Sequence, residues 1–108
     1  MQLDIGWVNV AGQDTLELFR KHQGRFELWH VKDVVGLKNN PPDTLPGKRK
    51  GTFVPVGQGE VDYKAIFKHA AQAGLKHFVI EQDNAGEQGA DSLAAMRANI
   101  AGLRKLLA

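Results

Sequence analysis

Residues 74–83 read GLKHFVIEQD, and this stretch decides the fold class. Gly74 is suited to ending a helix, because glycine readily takes the left-handed conformation found there. Residues 77–82 then form a predicted strand, since aromatic and β-branched side chains favour strands. Carboxylates stand at its end, at Glu81 and Asp83. A helix that leads into a strand with polar residues at its C-terminal end is typical of an α/β protein.

Two units, each a strand followed by a helix, are predicted before this stretch. Residues 3–10 are predicted to form the first strand, and Asp14 caps the helix that follows, with Glu17 three residues later as the partner of a capping box. Residues 26–32 are predicted to form the second strand, and Asp62 caps its helix. The chain is therefore predicted to contain three βα units.

A final helix begins at Asp91-Ser92, and its apolar positions alternate in steps of three and four: Leu93, Met96, Ile100, Leu103 and Leu107. In such a chain this stripe is expected to pack on a sheet rather than to form a coiled coil. Strands that alternate with helices predict parallel strands joined by right-handed crossovers. We expect one α/β domain over residues 1–108, with Phe26, Leu28 and Val79 on the inward face of its sheet.

A long segment, residues 34–60, separates the second strand from its helix. It holds all four prolines and five glycines, and it is too long for a simple connection in a compact domain. We therefore expect it to be functional or disordered. The basic run at residues 48–50 either meets a phosphate or is a solvated charge cluster.

Composition excludes several classes of protein. With 43% hydrophobic and 24% charged residues, the chain is typical of a soluble domain. The formal charge is only +2 and the basic residues are scattered, which argues against a nucleic-acid partner. The absence of cysteine excludes disulfides and thiolate zinc sites. With neither a signal peptide nor a membrane span in the pattern, we expect a cytoplasmic protein.

Three side chains with metal-binding chemistry lie on or next to the three predicted strands: Asp4, His30 and Glu81. The C-terminal ends of parallel strands meet at one edge of a sheet, so these side chains can converge. Oxygen and imidazole ligands in this mixture suit Mn²⁺, Mg²⁺, Co²⁺ or Zn²⁺. The spacing alone favours a simpler interpretation, in which Asp4 is a turn or capping residue, His30 a hydrogen-bonded strand residue and Glu81 a surface carboxylate.

Several short motifs, in order along the chain, make the first interpretation more specific. They are LDIGW at residues 3–7, GRF at 24–26, HVKD at 30–33, FVPVGQGEVD at 53–62 and the stretch at 74–83. Together they resemble strands six to eight of the sugar phosphate isomerase/epimerase family, which has the xylose isomerase-like TIM barrel. The resemblance implies that this chain forms part of a (β/α)8 barrel.

The resemblance also implies a metal site and a reaction. In that family Glu, Asp, His and Glu from strands five to eight hold a divalent metal, so Asp4, His30 and Glu81 correspond to the last three ligands. The first glutamate has no counterpart here. It and Glu81 would be the paired acid and base in aldose–ketose isomerisation or ketose epimerisation. The alternative is a non-catalytic module that keeps the fold elements and a weak metal site.

Other residues receive roles from the same resemblance. Trp7, Lys32 and Asp33 are candidates for contact with a sugar or sugar phosphate, although Trp7 could equally pack in the core and the other two could be a solvated pair. Asp83 could orient a neighbouring side chain of the metal site.

A full barrel takes about 250 residues. Because three strands alone would expose apolar surface and sheet edges, we expect self-association, as a dimer or a domain-swapped assembly.

Overall fold

A three-stranded parallel sheet forms the centre of the structure, a computed structural model that describes residues 1–37, 51–83 and 91–108. In chain order the elements are β1 (Gln2–Asp4), α1 (Ile5–Val10), α2 (Thr15–Lys21), β2 (Leu28–Val31), β3 (Asp33–Val35), β4 (Thr52–Val54), α3 (Tyr63–Lys68), α4 (Ala70–Ala73), β5 (His77–Ile80) and α5 (Ser92–Leu107). The sheet order is β1-β2-β5, with all pairs parallel. This arrangement confirms the predicted α/β class and is consistent with a fragment of a TIM-like barrel.

The first strand is much shorter than predicted, because the helix α1 begins immediately after Asp4. The expected strand over residues 3–10 was inferred from the β-branched and aromatic side chains between Ile5 and Val10. Asp4 overrides that preference, since its Oδ1 accepts a hydrogen bond from the backbone N–H of Trp7 and caps the helix. The helix then buries Ile5 and Val10.

The helix-facing side of the sheet carries the core. Trp29 and Val31 of β2 are fully buried, and the Trp29 ring stacks on Phe19 of α2 with 5.1 Å between the ring centroids. The described residues leave the opposite side of the sheet open. Val79, which is predicted to lie on that inward side, is 43% exposed. Phe26 was wrongly expected on that open side. It precedes β2 and packs against Phe19 in the core.

The predicted helix caps are confirmed, although the second predicted helix is divided at His69 into α3 and α4. Asp14 caps α2 by accepting hydrogen bonds from the N–H groups of Leu16 and Glu17, and Asp62 caps α3 by accepting one from Ala65. Gly74 ends α4 in the left-handed conformation, with φ of 85°. A side chain there would also meet the backbone of Gly24.

The segment between β2 and α3 is not simply a loop. Its described part forms a small antiparallel sheet, in which β3 pairs with β4. The segment therefore closes on itself beside the end of β2. The basic run at residues 48–50 lies outside the described residues.

The last helix, α5, packs through a buried asparagine as well as through its apolar stripe. Leu103 of that stripe is buried, whereas Leu93, Ile100 and Leu107 are 60%, 44% and 48% exposed. Instead Asn99 is fully buried and accepts a hydrogen bond from the Val56 N–H at 2.8 Å. Its amide nitrogen donates to the side-chain oxygen of Gln82 at 2.9 Å and to the backbone carbonyl of Ala95 at 2.8 Å. The stripe lies toward the sheet as predicted, because Ile100, Leu103 and Leu107 line one hollow with Phe78 and Ile80 of β5, and Leu103 is buried there.

Close packing of α5 against the 55–58 segment depends on a glycine. A β-carbon on Gly102 would overlap the carbonyl oxygen of Val56.

Among the described residues, no helix combines the length and the apolar character needed to cross a membrane.

Self-association remains a prediction, and two features of the described residues favour it. Strands β1 and β5 each pair with only one neighbour there, and Phe78 and Val79 expose 39% and 43% of their surface. Since such edges and apolar faces pair with other chains, we expect sedimentation velocity at micromolar concentration to show a species larger than the 11.9 kDa monomer. A single monomeric species over a hundredfold range of concentration would contradict this expectation.

Candidate functional site

Asp4, His30 and Glu81 converge at the C-terminal edge of the parallel sheet. One potential ligand atom from each of these residues lies within 4.8 Å of the others. Strand register explains the convergence, because Asp4 is the direct partner of His30 in the β1–β2 pair. Glu81 follows β5, and its N–H donates to the carbonyl of Val31 at 2.9 Å, which fixes it beside the end of β2.

The imidazole of His30 is held from both sides. Its Nδ1 contacts Oε1 of Glu81, and its Nε2 lies 3.1 Å from Oε1 of Gln2. Sequence analysis did not identify Gln2. The signal was available, because Gln2 lies two residues before Asp4 and therefore on the same face of the strand.

Lys32 is the cation of this site. Its Nζ lies 2.9 Å from Oδ2 of Asp4, 3.1 Å from Oε2 of Glu81 and 2.8 Å from Oδ1 of Asp83, with only 3% of its side chain exposed. Burial lowers the pKa of Lys32, but the hydrogen bonds to these three carboxylates outweigh burial and raise the pKa above its ordinary value. The ammonium is therefore charged at neutral pH.

Glu81 is ionised for the same reason. Burial raises the pKa of its carboxyl, whereas hydrogen bonds and charge interactions with Lys32 and His30 lower it, and the net pKa lies below the usual value. The site thus presents a carboxylate in its basic form.

Trp7 and Asp83 complete the exposed side of the cluster. Trp7 is 49% exposed, its Nε1 donates to Oδ2 of Asp83 at 3.1 Å, and its ring meets Phe53 edge to face at 5.2 Å between centroids. The indole is therefore an accessible aromatic surface beside the carboxylates rather than a core residue. Asp83 bridges Trp7 and Lys32, so it orients these two side chains.

Asp33 does not reach this cluster in the way predicted for a substrate-binding residue. It is fully buried, and its two oxygens accept four backbone N–H groups: those of Val34, Gly57, Gly59 and Val61. A β-carbon at Gly59 would overlap the carboxylate of Asp33. The arrangement argues against contact between Asp33 and substrate, because both oxygens are engaged in tying the 57–61 turn to β3.

The donor set fits a divalent metal chemically. A carboxylate from Asp4, an imidazole from His30 and a carboxylate from Glu81 are the hard and borderline ligands that Mn²⁺, Co²⁺ or Zn²⁺ accept. The three side chains approach one point at the end of a parallel sheet, where α/β enzymes place their ligands. This cluster can therefore hold a metal and offer an ionised carboxylate beside it.

Comparison with curated proteins finds inosose dehydratases. The chain is 36% identical to that of Clostridium perfringens over 70 residues, which cover 60% of this chain and 24% of the relative. It is 31% identical to that of Clostridium botulinum over 88 residues, which cover 74% of the chain and 30% of the relative. The match to that of Lacticaseibacillus casei is 30% identical over 90 residues, covering 76% and 30%.

These relatives support, at the coarse level, the assignment of the chain to the xylose isomerase-like TIM barrel superfamily. The chain spans about a quarter to a third of the length of the curated relatives that it matches. No family model matches the chain. No solved structure matches it either.

Proposed function

We propose that this chain supplies the metal-holding edge and one acid–base carboxylate of an enzyme that removes the proton next to a carbonyl group in a sugar or cyclitol. The observation that carries the proposal is the convergence of Asp4, His30 and Glu81 within 4.8 Å. Isomerisation, epimerisation and dehydration of such substrates share this proton removal. The proposal therefore accommodates both the motifs of the sequence and the relatives named inosose dehydratases.

The reaction assigns separate tasks to the residues of the cluster. A divalent metal held by Asp4, His30 and Glu81 would supply polarisation of the carbonyl and its neighbouring hydroxyl. Glu81, already ionised, is the base that accepts the proton from carbon. Trp7 offers an exposed ring on which the apolar face of a sugar can stack.

Among the described residues of the cluster, Glu81 is the carboxylate to which the proposal assigns proton transfer. A single carboxylate can remove a proton and return it to the same face of the carbon, which exchanges that hydrogen with solvent. Inversion of the carbon needs a second acid–base group on the opposite face. Solvent exchange is therefore the activity that the described residues support best.

The test is deuterium incorporation. The full chain is incubated with Mg²⁺ or Zn²⁺, which are diamagnetic, in D2O and a panel of ketoses, ketose phosphates and an inosose, and the loss of the C–H signal is followed by proton NMR. We expect exchange on at least one substrate, and we expect Glu81→Gln to slow it at least about 100-fold, the usual contribution of a positioned acid–base group. His69→Ala is the matched control, because His69 is exposed and its ring contacts the carbonyl of Ala65.

Two results would contradict the proposal. Exchange that persists in Glu81→Gln would remove this residue from the reaction. Binding of Mn²⁺ by the three ligands without exchange of any substrate would favour the non-catalytic module, in which the site stabilises an assembly.

A further inference from the structure

We propose that Lys32 is an internal counter-ion that occupies the carboxylates of the metal site and competes with the metal for them. Its ammonium lies 2.9 Å from Asp4 and 3.1 Å from Glu81, which are two of the three candidate ligands. The inference rests on the proposed metal site and adds a control on the affinity of that site. It also differs from the predicted contact between Lys32 and substrate.

The position of Lys32 is built by three independent contacts of its own residue. The buried hydroxyl of Tyr63 accepts from the Lys32 N–H at 2.8 Å and donates to the Lys32 carbonyl at 2.6 Å. The aliphatic stem passes over Gly6, where a β-carbon would overlap Lys32 Cγ. The ammonium also lies 5.6 Å from the centroid of the Phe53 ring. A lysine whose ammonium was simply exposed to solvent would need none of these contacts.

Charge explains why a cation belongs here. Asp4, Glu81 and Asp83 bring three negative charges to one sheet edge, and like charges in a partly buried site repel strongly. Lys32 offsets this repulsion while the metal is absent. A metal that bound the same oxygens would displace the ammonium from Asp4 and Glu81, and Asp83 is placed to retain it because its Oδ1 already accepts from Lys32 at 2.8 Å.

The first measurement compares Mn²⁺ binding by the wild type and by Lys32→Met, using calorimetry and the EPR signal of free Mn²⁺. We expect Lys32→Met to bind Mn²⁺ at least about tenfold more tightly, because an ammonium and a divalent ion a few ångströms apart repel each other. In a chelator, the same variant is expected to unfold at lower urea concentration than the wild type, and Mn²⁺ is expected to restore more stability to the variant.

A double variant, Lys32→Met with Asp83→Asn, separates competition from net charge. It removes one positive and one negative charge, so the site keeps its overall charge but loses the ammonium from Asp4 and Glu81. We expect it to bind Mn²⁺ more tightly than the wild type as well. Because it reduces repulsion, it also serves as the folded variant if Lys32→Met does not fold.

The outcomes distinguish this inference from the proposed function. Equal or weaker Mn²⁺ binding by both Lys32 variants would overturn the counter-ion role while leaving the metal site intact. Binding by the Lys32 variants but not by the wild type would support the counter-ion role in its strongest form. Absence of Mn²⁺ binding in all three proteins would overturn the metal site itself, and the proposed competition of Lys32 for that site would fall with it.

Discussion

Replacement of Asp33 with alanine is expected to lower the free energy of unfolding by about 4 kcal/mol. The substitution leaves four buried or half-buried N–H groups without their acceptor, and each such group costs about 1–3 kcal/mol when it stays unpaired. Some are recovered by water, so the costs do not add fully. Because small domains are stable by about 5–15 kcal/mol, the loss would remove much of the total. Urea denaturation followed by circular dichroism measures it.

Asp62→Ala is the matched control for this prediction. Like Asp33, Asp62 accepts a hydrogen bond from the backbone, but it is exposed and caps α3 through the N–H of Ala65. Its replacement is therefore expected to lower the free energy of unfolding by about 1 kcal/mol. Asp33→Asn should behave almost like Asp33→Ala, since one side-chain oxygen becomes a donor that faces two donors. If Asp33→Ala were no more destabilising than Asp62→Ala, the turn at residues 57–61 would not depend on the buried carboxylate.

Removal of a metal ligand is the second change with a large expected effect. His30→Ala and Glu81→Ala should each weaken Mn²⁺ binding by more than about 100-fold, since even residues that only orient ligands contribute about 10- to 100-fold. Calorimetric titration at neutral pH measures the loss. The site holds three candidate ligands among the described residues, so none of them is redundant.

Ordinary histidines provide the control for this titration. His69→Ala leaves the cluster unchanged, and its Mn²⁺ affinity should equal that of the wild type. Binding that survives both His30→Ala and Glu81→Ala would place the metal elsewhere and would eliminate the proposed site. Binding lost in His69→Ala would show that the titration reports scattered imidazoles.

Local signals in the sequence predicted those parts of the fold that depend on neighbouring residues. Asp14, Asp62 and Asp91 were identified as helix caps because a capping aspartate acts within three residues of itself. The convergence of Asp4, His30 and Glu81 was also predictable, because parallel strands place their C-terminal ends together.

Features that depend on distant partners were missed. The role of Asp33 requires a turn that begins more than twenty residues later, and the orientation of α5 depends on how Asn99 meets Val56. The ion-pair partners of Lys32 come from two distant segments of the chain, Asp4 after β1 and the carboxylates of Glu81 and Asp83 after β5. No local pattern marks these partners, so two residues that look like a solvated Lys-Asp pair are in fact buried, and each has several polar partners.

The central place of β2 in the sheet also sets an order of assembly. Leu28 of β2 pairs with Gln2 on one side and with His77 on the other, and His77 is much farther from Leu28 along the chain than Gln2 is. Contacts between distant residues form more slowly than local ones, and a chain emerging from the ribosome offers β1 and β2 first. Asp4 and His30 would thus meet early, and the site would be completed only when β5 docks and brings Glu81. A nascent chain of this kind would therefore lack the Glu81 carboxylate of this cluster until β5 has joined the sheet.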